Sequence, residues 1–254
     1  MSASASTRLA SMRRDPVLPP GFTCTTLRES GDAFAHAVRH AADLGAGSLV
    51  WVRRFDLVEF AVVLEPEAPL SAARLAHYMG MNALADMMAV HCPPERSLFF
   101  NWPDAVLLDH GLLGGGRTAW PEGCGEDEEP AWIVFGAMLR AVASESFEGG
   151  ARRVGLGAGV AMDELGFDDV SSADMIESFC RHLMSGVDQW TTKGPKAVVK
   201  RWLDRLAPEV GMRQGVEPNG DLLVRTQAGE IRKSLIEALA RADWYDPERA
   251  EPKL

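Results

Sequence analysis

Apolar positions along the chain change period several times, and each change marks an element. In "SGDAFAHAVRHAADLG" (residues 30–45), Phe34, Ala35, Val38, Ala41 and Ala42 recur at helical spacing. Ser30 or Asp32 can cap this helix, and Gly45 and Gly47 stop it. "SLVWV" (48–52) and "LVEFAVVLEP" (57–66) read as two strands joined through residues 53–56. Val58, Phe60 and Val62 alternate with Glu59 and Ala61, the pattern of a half-buried strand. "PLSAARLAHYMGMNALADMMAVHC" (69–92) is a second helix, opened by Ser71 and closed by Pro93 and Pro94.

"SLFFNW" and "AVLL" are short strands on either side of a Trp102-Pro103 turn, and "GRTAW" begins another. The acidic loop "PEGCGEDEEP" separates that strand from "AWIVFGAMLRAVA", and "RRVGLGAGVAM" (152–162) reads as one more apolar strand. Helices over 172–190 and 195–206 come next. The character then changes, because "MRQGVEPNGDLLVRTQAGEIRKSL" is a hairpin around Asn219-Gly220. Leu222 and Val224 share one face of it, and Leu235, Leu239 and Trp244 of the next segment supply an apolar stripe to cover that face.

The order of elements predicts an α+β fold: a mixed, mostly antiparallel sheet packed with helices, plus a small C-terminal β module. Antiparallel neighbours are expected because the links between strands leave little room for crossover helices. The predicted division is a tail over 1–20, a main domain over 21–208, the β module over 209–246 and a second tail over 247–254.

Composition narrows the function. With 254 residues, 46% hydrophobic and 24% charged, the chain suits one sizeable domain with a small appendage. A net charge of -10 gives no electrostatic footprint for nucleic acid or an anionic membrane. No apolar run approaches the roughly 20 residues that cross a bilayer. The stretch "MSASASTRLASMRRDPVLPPG" lacks the apolar core of a secretory signal and reads as a frayed tail. Cys24, Cys92, Cys124 and Cys180 lie far apart without a C-x-x-C pair, as expected of reduced, mostly buried thiols in a cytoplasmic protein.

Candidate chemistry concentrates in "NWPDAVLLDHGLLGGGRTAW" (101–120). Trp102 and Asp104 either line a pocket at a strand end or form a rigid turn in which Asp104 caps backbone donors. The N–H groups of Gly114 and Gly115 form an anion nest beside Arg117, or the glycines let backbone pass close to a neighbouring strand. Arg53 and Arg54 fall on opposite faces, so at most one points into a pocket; the alternative is surface charge on a hairpin. The glycines at 155, 157 and 159 do not match the dinucleotide-binding order G-x-G-x-x-G. His36 and His40 share a helix face without a third metal ligand.

These strings, in this order, resemble the biotin/lipoate–protein ligase family. "NWPDAVLLDHGLLGGG" matches the family's Trp-Pro turn, short strand and glycine motif. "WIVFGAML" matches its next apolar strand, and "VVKRWLDRL" and "GVEPNGDLLV" match the later segments of bacterial biotin ligases. The resemblance implies an enzyme that activates biotin or a lipoyl-type acid with ATP and passes the acyl group to a carrier-protein lysine. Four departures fall on the parts that do this. Residues 53–56 replace a longer Gly/Arg-rich loop, Gly111 and Asn101 stand where the family has lysines, and Asp104 stands alone where it has Asn-Asp. Losing one cationic contact in a dry site costs about 3 kcal/mol, on the order of a hundredfold in rate. The expectation is a protein diverged from ATP-dependent ligation that binds a ligand or carrier, with Arg53, Arg54, Asn101, Trp102, Asp104, Gly114, Gly115 and Arg117 as its ligand-binding set and no catalytic or metal-binding residue. Biotin, lipoate or octanoate, with ATP, are the ligands the resemblance implies, although the departures argue against ATP. The alternatives are an acyl transferase with an altered mechanism and a non-catalytic accessory or assembly protein.

Overall fold

The computed structural model describes residues 14–143, 159–167, 170–208 and 211–253. Residues 1–13 of the expected tail and 152–158 of the expected glycine-rich strand lie outside them. The core is a seven-stranded sheet, in the order β1-β2-β3-β7-β6-β5-β4. Strand β1 (Thr23–Leu27) pairs parallel with β2 (Ser48–Val52). Helix α1 (Ala33–Leu44) joins them as a crossover, so the short-link argument fails at this one connection. Strand β1 escapes sequence reading because it is an edge strand of sequence TCTTL, exposed along most of its length. Every other ladder between the described strands of the sheet is antiparallel.

Asp32 caps α1 by accepting a hydrogen bond from the Ala35 N–H at 2.8 Å. The buried face of α1 is Ala33, Ala37 and Ala41, while Ala35 and Ala42 are exposed, so the stripe is rotated from the expected one. Small residues decide the rotation by letting the helix axis approach the sheet. Their partners are Val50 and Val52 of β2, Ala61 and Val63 of β3 (Leu57–Leu64), and Val134 of β7 (Ile133–Arg140). Strand β3 is buried on both faces rather than one, because helices cover the sheet's other face as well.

The expected helix over 69–92 divides into α2 (Leu70–Ala73) and α3 (Ala76–His91). Pro69, not Ser71, starts it, without a side-chain cap. The acidic loop does the capping instead: Leu70 N–H donates to the Glu128 carbonyl at 2.8 Å and Ser71 N–H to that of Glu126 at 3.0 Å. Helix α3 is buried from Ala76 to Met88, lying between the sheet and helices α4 (Ser172–Lys193) and α5 (Pro195–Leu203). A capping box between Ser171 and Asp174 opens α4, and Gly194 with Pro195 after it separates α4 from α5.

Strands β4 (Leu98–Asn101), β5 (Ala105–Leu108) and β6 (Gly111–Ala119) complete the sheet. The C-terminal part has three strands rather than one hairpin: β8 (Arg213–Val216), β9 (Leu222–Thr226) and β10 (Gly229–Lys233). It joins the main core through Leu222, Val224 and Leu235. The buried Tyr78 hydroxyl of α3 donates to the Gly220 carbonyl at 2.6 Å. Helix α6 (Leu235–Arg241) leads to β11 (Tyr245–Asp246), and the expected closing tail holds β12 (Glu251–Pro252), which pairs with β11. Trp244 does not cover the hairpin; it reaches the seven-stranded sheet. No described helix is long and apolar enough to cross a membrane. All four cysteines are free, but only Cys180 is buried, and Cys24 is exposed at the sheet edge.

Candidate functional site

Strand alternation assembles the site. Across β5, β6, β7 and β3 the register places Ala105 opposite Gly115, Gly115 opposite Met138, Arg117 opposite Gly136, and Met138 opposite Glu59. These residues share one face with Leu57 and Arg140, which also pair. Helix α1 covers part of that face. The segment from Trp244 to Pro252 covers the rest: Trp244 packs with Leu57, Ala105 and Met138.

The three consecutive glycines have three separate geometric reasons. Gly114 has φ 155 at an irregularity in the β5–β6 pairing, where a Cβ would lie 2.0 Å from the Met138 carbonyl oxygen. Gly115 lies under Trp244, where a Cβ would come within 2.5 Å of the indole. Gly116 faces the opposite side, where a Cβ would meet Met81 sulfur at 2.6 Å. The Gly116 N–H donates to the Asp104 carbonyl at 2.8 Å. The glycines thus admit a neighbouring strand, the chain's own indole and a methionine.

Asp104 is 3% exposed, beside Trp244. Burial pushes its carboxyl up to about 7, although the nearby indole N–H opposes the rise. Even so, Asp104 Oδ2 and Trp244 Nε1 both end without a hydrogen bond. Trp102, by contrast, packs against the core on the other face of the sheet, so Trp102 and Asp104 do not line one pocket. The peptide between Trp102 and Pro103 is cis. Asn101 is exposed at the end of β4.

Arg117 is held between two aromatic rings, 4.3 Å from the Phe34 centroid and 4.7 Å from that of Tyr245. Asp32 lies 4.0 Å away. Arg140 is buried; it donates to the Pro252 carbonyl and sits 3.4 Å from Glu251, while its Nε has no partner. Glu59 is buried at the start of α1, accepts the Ala33 N–H at 2.8 Å, and has its carboxyl raised chiefly by burial. The two hairpin arginines part company. Arg53 lies over the Trp51 ring at 5.1 Å and pairs with Asp15. Arg54 grips Asp56 at 2.7 and 2.8 Å and approaches Glu59 at 3.6 Å. Of the predicted residues, Asp104, Gly115 and Arg117 meet on one face, with Arg54 reaching its edge through Glu59. Arg53, Asn101 and Trp102 stand elsewhere.

Sequence reading missed Arg140, Glu59, Trp244 and Tyr245 as parts of this face, and His77 behind it. His77 is fully buried in α3, with Nε2 at 3.1 Å from the Pro103 carbonyl and Nδ1 at 2.9 Å from Thr118 Oγ1. A carbonyl can only accept, so Nε2 carries the proton and Nδ1 accepts from the threonine hydroxyl. Burial pushes the imidazole pKa down to about 4. His77 therefore ties the Trp-Pro turn to β6 as a neutral ring. Among the described residues, no cluster of three His, Cys, Asp or Glu side chains could hold a metal ion. The His36 and His40 rings stand 4.6 Å apart without a third ligand.

With this arrangement in view, the chain belongs to the biotin/lipoate A/B protein ligase family, whose model matches residues 18–204. It is 24% identical over 213 residues to the biotin–[acetyl-CoA-carboxylase] ligase of Paracoccus denitrificans, covering 79% of this chain and 87% of that protein. A biotin protein ligase-like protein of unknown function from Silicibacter sp. superposes with a TM-score of 0.74 at 23% identity, over 87% of this chain and 98% of the other. The biotin protein ligase of Aquifex aeolicus gives a TM-score of 0.63 at 11% identity, over 83% and 95%. At these identities the structural likenesses speak to the fold alone.

Proposed function

We propose that this chain has left ATP-dependent attachment of biotin or lipoate to a carrier lysine and serves as a ligand- or carrier-binding member of its family. The observation that carries this reading is the occupancy of the sheet face. Trp244 lies on Gly115, Tyr245 closes over Arg117, and Glu251 and Pro252 engage Arg140. Adenylation needs cations free to meet a carboxylate and a phosphate, and a loop that excludes water from the mixed anhydride. Here both arginines of the face are engaged by the protein's own groups. Only residues 53–56 link β2 to β3, with Arg54 tied to Asp56, and Gly111 brings no side chain to β6. Transfer through Cys180 finds little support, since burial raises its thiol to about 12.

The test is pyrophosphate release with ATP and biotin, lipoate or octanoate, run beside a carrier-lysine acylation assay. No release above the enzyme-free control is expected, and Gly111→Lys should not restore any. Clear release, or an acylated carrier, would overturn the reading. Calorimetric titration of the three acids and of a biotinyl or lipoyl carrier domain then separates ligand binding from carrier binding.

A further inference from the structure

We infer that residues 243–253 form a displaceable strap whose opening controls access to the Gly115–Arg117–Arg140 face. The inference rests on reading that face as the binding site, and it adds the regulation of that site.

Four observations carry it. First, the strap has no ladder to the sheet it covers. Strands β11 and β12 pair only with each other, in a two-residue register. The Tyr245 N–H bonds to Ala242 O and the Lys253 N–H to Trp244 O, both within the segment and its entry. An isolated two-stranded hairpin is marginal in water, so side chains must hold this one down. Second, those side-chain contacts are poorly matched. Asp104 Oδ2 beside Trp244 Nε1, and Arg140 Nε beside Glu251 and Pro252, are buried without hydrogen bonds. Native interiors leave few such atoms, and here one belongs to the segment and two to the groups it touches.

Third, the segment carries strained backbone at its entry and again within it. Ala242 at its entry has φ 41 and Ala250, just before β12, has φ 52, a left-handed conformation that residues with a Cβ rarely hold. Fourth, what the strap presents is a description of what could replace it. It lays a flat ring on Gly115, stacks a second ring on Arg117, and gives Arg140 a carboxylate and a carbonyl. A competing occupant with a flat ring, an N–H for Asp104 and an acid group for Arg140 would make these contacts and also satisfy the atoms the strap leaves unpaired. Local opening of such a segment requires only its own contacts to break, leaving the β3–β7 ladder intact.

Native-state hydrogen exchange on the full chain tests this. The Tyr245 and Lys253 amides should be at least tenfold less protected than those of β3 and β7, and should exchange at denaturant concentrations that leave the ladder closed. Exchange of both groups in a single step would overturn the strap. Trp244→Ala should lower protection at Lys253 by a further tenfold or more while β3 and β7 hold. If that variant does not fold, Glu251→Gln, which weakens the Arg140 contact and the looser one to Arg249 within the segment, should cost several fold at Lys253; no change would count against the strap. Biotin, lipoate and octanoate serve as probes in a final arm. An acid that binds should lower strap protection, and binding without that loss overturns the gating. An opening strap with no acid bound by wild type or Trp244→Ala removes the binding-site reading and leaves the strap standing.

Discussion

One face of the sheet is covered in two ways, and the contrast separates packing from chemistry. Under α1, alanines meet valines and alanine: Ala33, Ala37 and Ala41 lie on Val50, Val52, Ala61, Val63 and Val134. The buried polar side chains there are matched to the helix: Glu59 accepts its first N–H and the Ser48 hydroxyl donates to the Leu44 carbonyl near its end. Under the strap, the sheet carries a glycine and two arginines with Asp104 of the adjoining turn, and Asp104 Oδ2, Arg140 Nε and the strap's own Trp244 Nε1 lack partners. The first half repays its ordering with close contact. The second keeps charged and unpaired groups that a core shaped only for stability would replace. Arg117 stands at the border, with Phe34 of α1 on one side and Tyr245 of the strap on the other.

The largest expected effect removes the strap together with the strands that share the core. Truncation after Leu206 strips Leu222, Val224 and Leu235 from the main cluster and leaves the Tyr78 hydroxyl without Gly220. The product should be poorly soluble or unfold without cooperativity. A soluble product with the full-length melting midpoint would show instead that the tail is an independent appendage.

Single substitutions set the two halves against each other. Phe135→Ala, in the sheet core, should cost about 3–5 kcal/mol in denaturant unfolding. Trp244→Ala removes a larger side chain that is 2% exposed, yet its cost should be less than half as great, because the loss is capped by the free energy that docks the strap. Equal costs would mean that both halves unfold as one.

A pH series distinguishes Asp104 from its neighbour across the turn. The Asp104 carboxyl, at about 7 in the fold, holds its proton better than in the unfolded chain. Its stabilisation is present at low pH and is lost as pH rises through 7. His77, at about 4, stays neutral in the fold, so its contribution is present above the unfolded value and is lost as pH falls toward 4. Between pH 5 and 8 each is worth on the order of 2 kcal/mol, with opposite signs. Asp104→Asn should therefore unmask a stability that rises by about 2 kcal/mol from pH 5 to pH 7.5, where wild type is flatter. A parallel profile for the two proteins would refute the assignment to Asp104.

The smallest effect is at the border. Arg117→Gln should cost about 1 kcal/mol or less, since it removes two cation–ring contacts from a half-buried site. Exchange of Tyr245 should quicken while the amides of α1 stay as they were. Quickening in both would make Arg117 a support for the whole face and not for the strap alone.

Much of this architecture was legible in the chain. Helix α1 begins at the aspartate that caps it, β2 occupies the residues its apolar run marks, and the Asn219-Gly220 turn joins β8 to β9. Such features are local, because caps, turns and apolar periods act over a few residues. The family, too, could be read from the order of short strings. Edge strand β1 could not, since an exposed strand needs no apolar alternation. The capping of α2 by carbonyls of the acidic loop was equally hidden.

The site divides along the same line. Asp104, Gly115 and Arg117 were visible as residue types in one stretch, and the absence of lysine at 101 and 111 was visible with them. The groups that face them were not. Trp244, Tyr245 and Glu251 come from the far end of the chain, and nothing in the spacing of "NWPDAVLLDHGLLGGGRTAW" says whether Gly115 makes room for a ligand or for an indole. Both demand a missing Cβ, so the local signal is the same. Only tertiary contact, by bringing a distant segment over that glycine, determines which group lies on it.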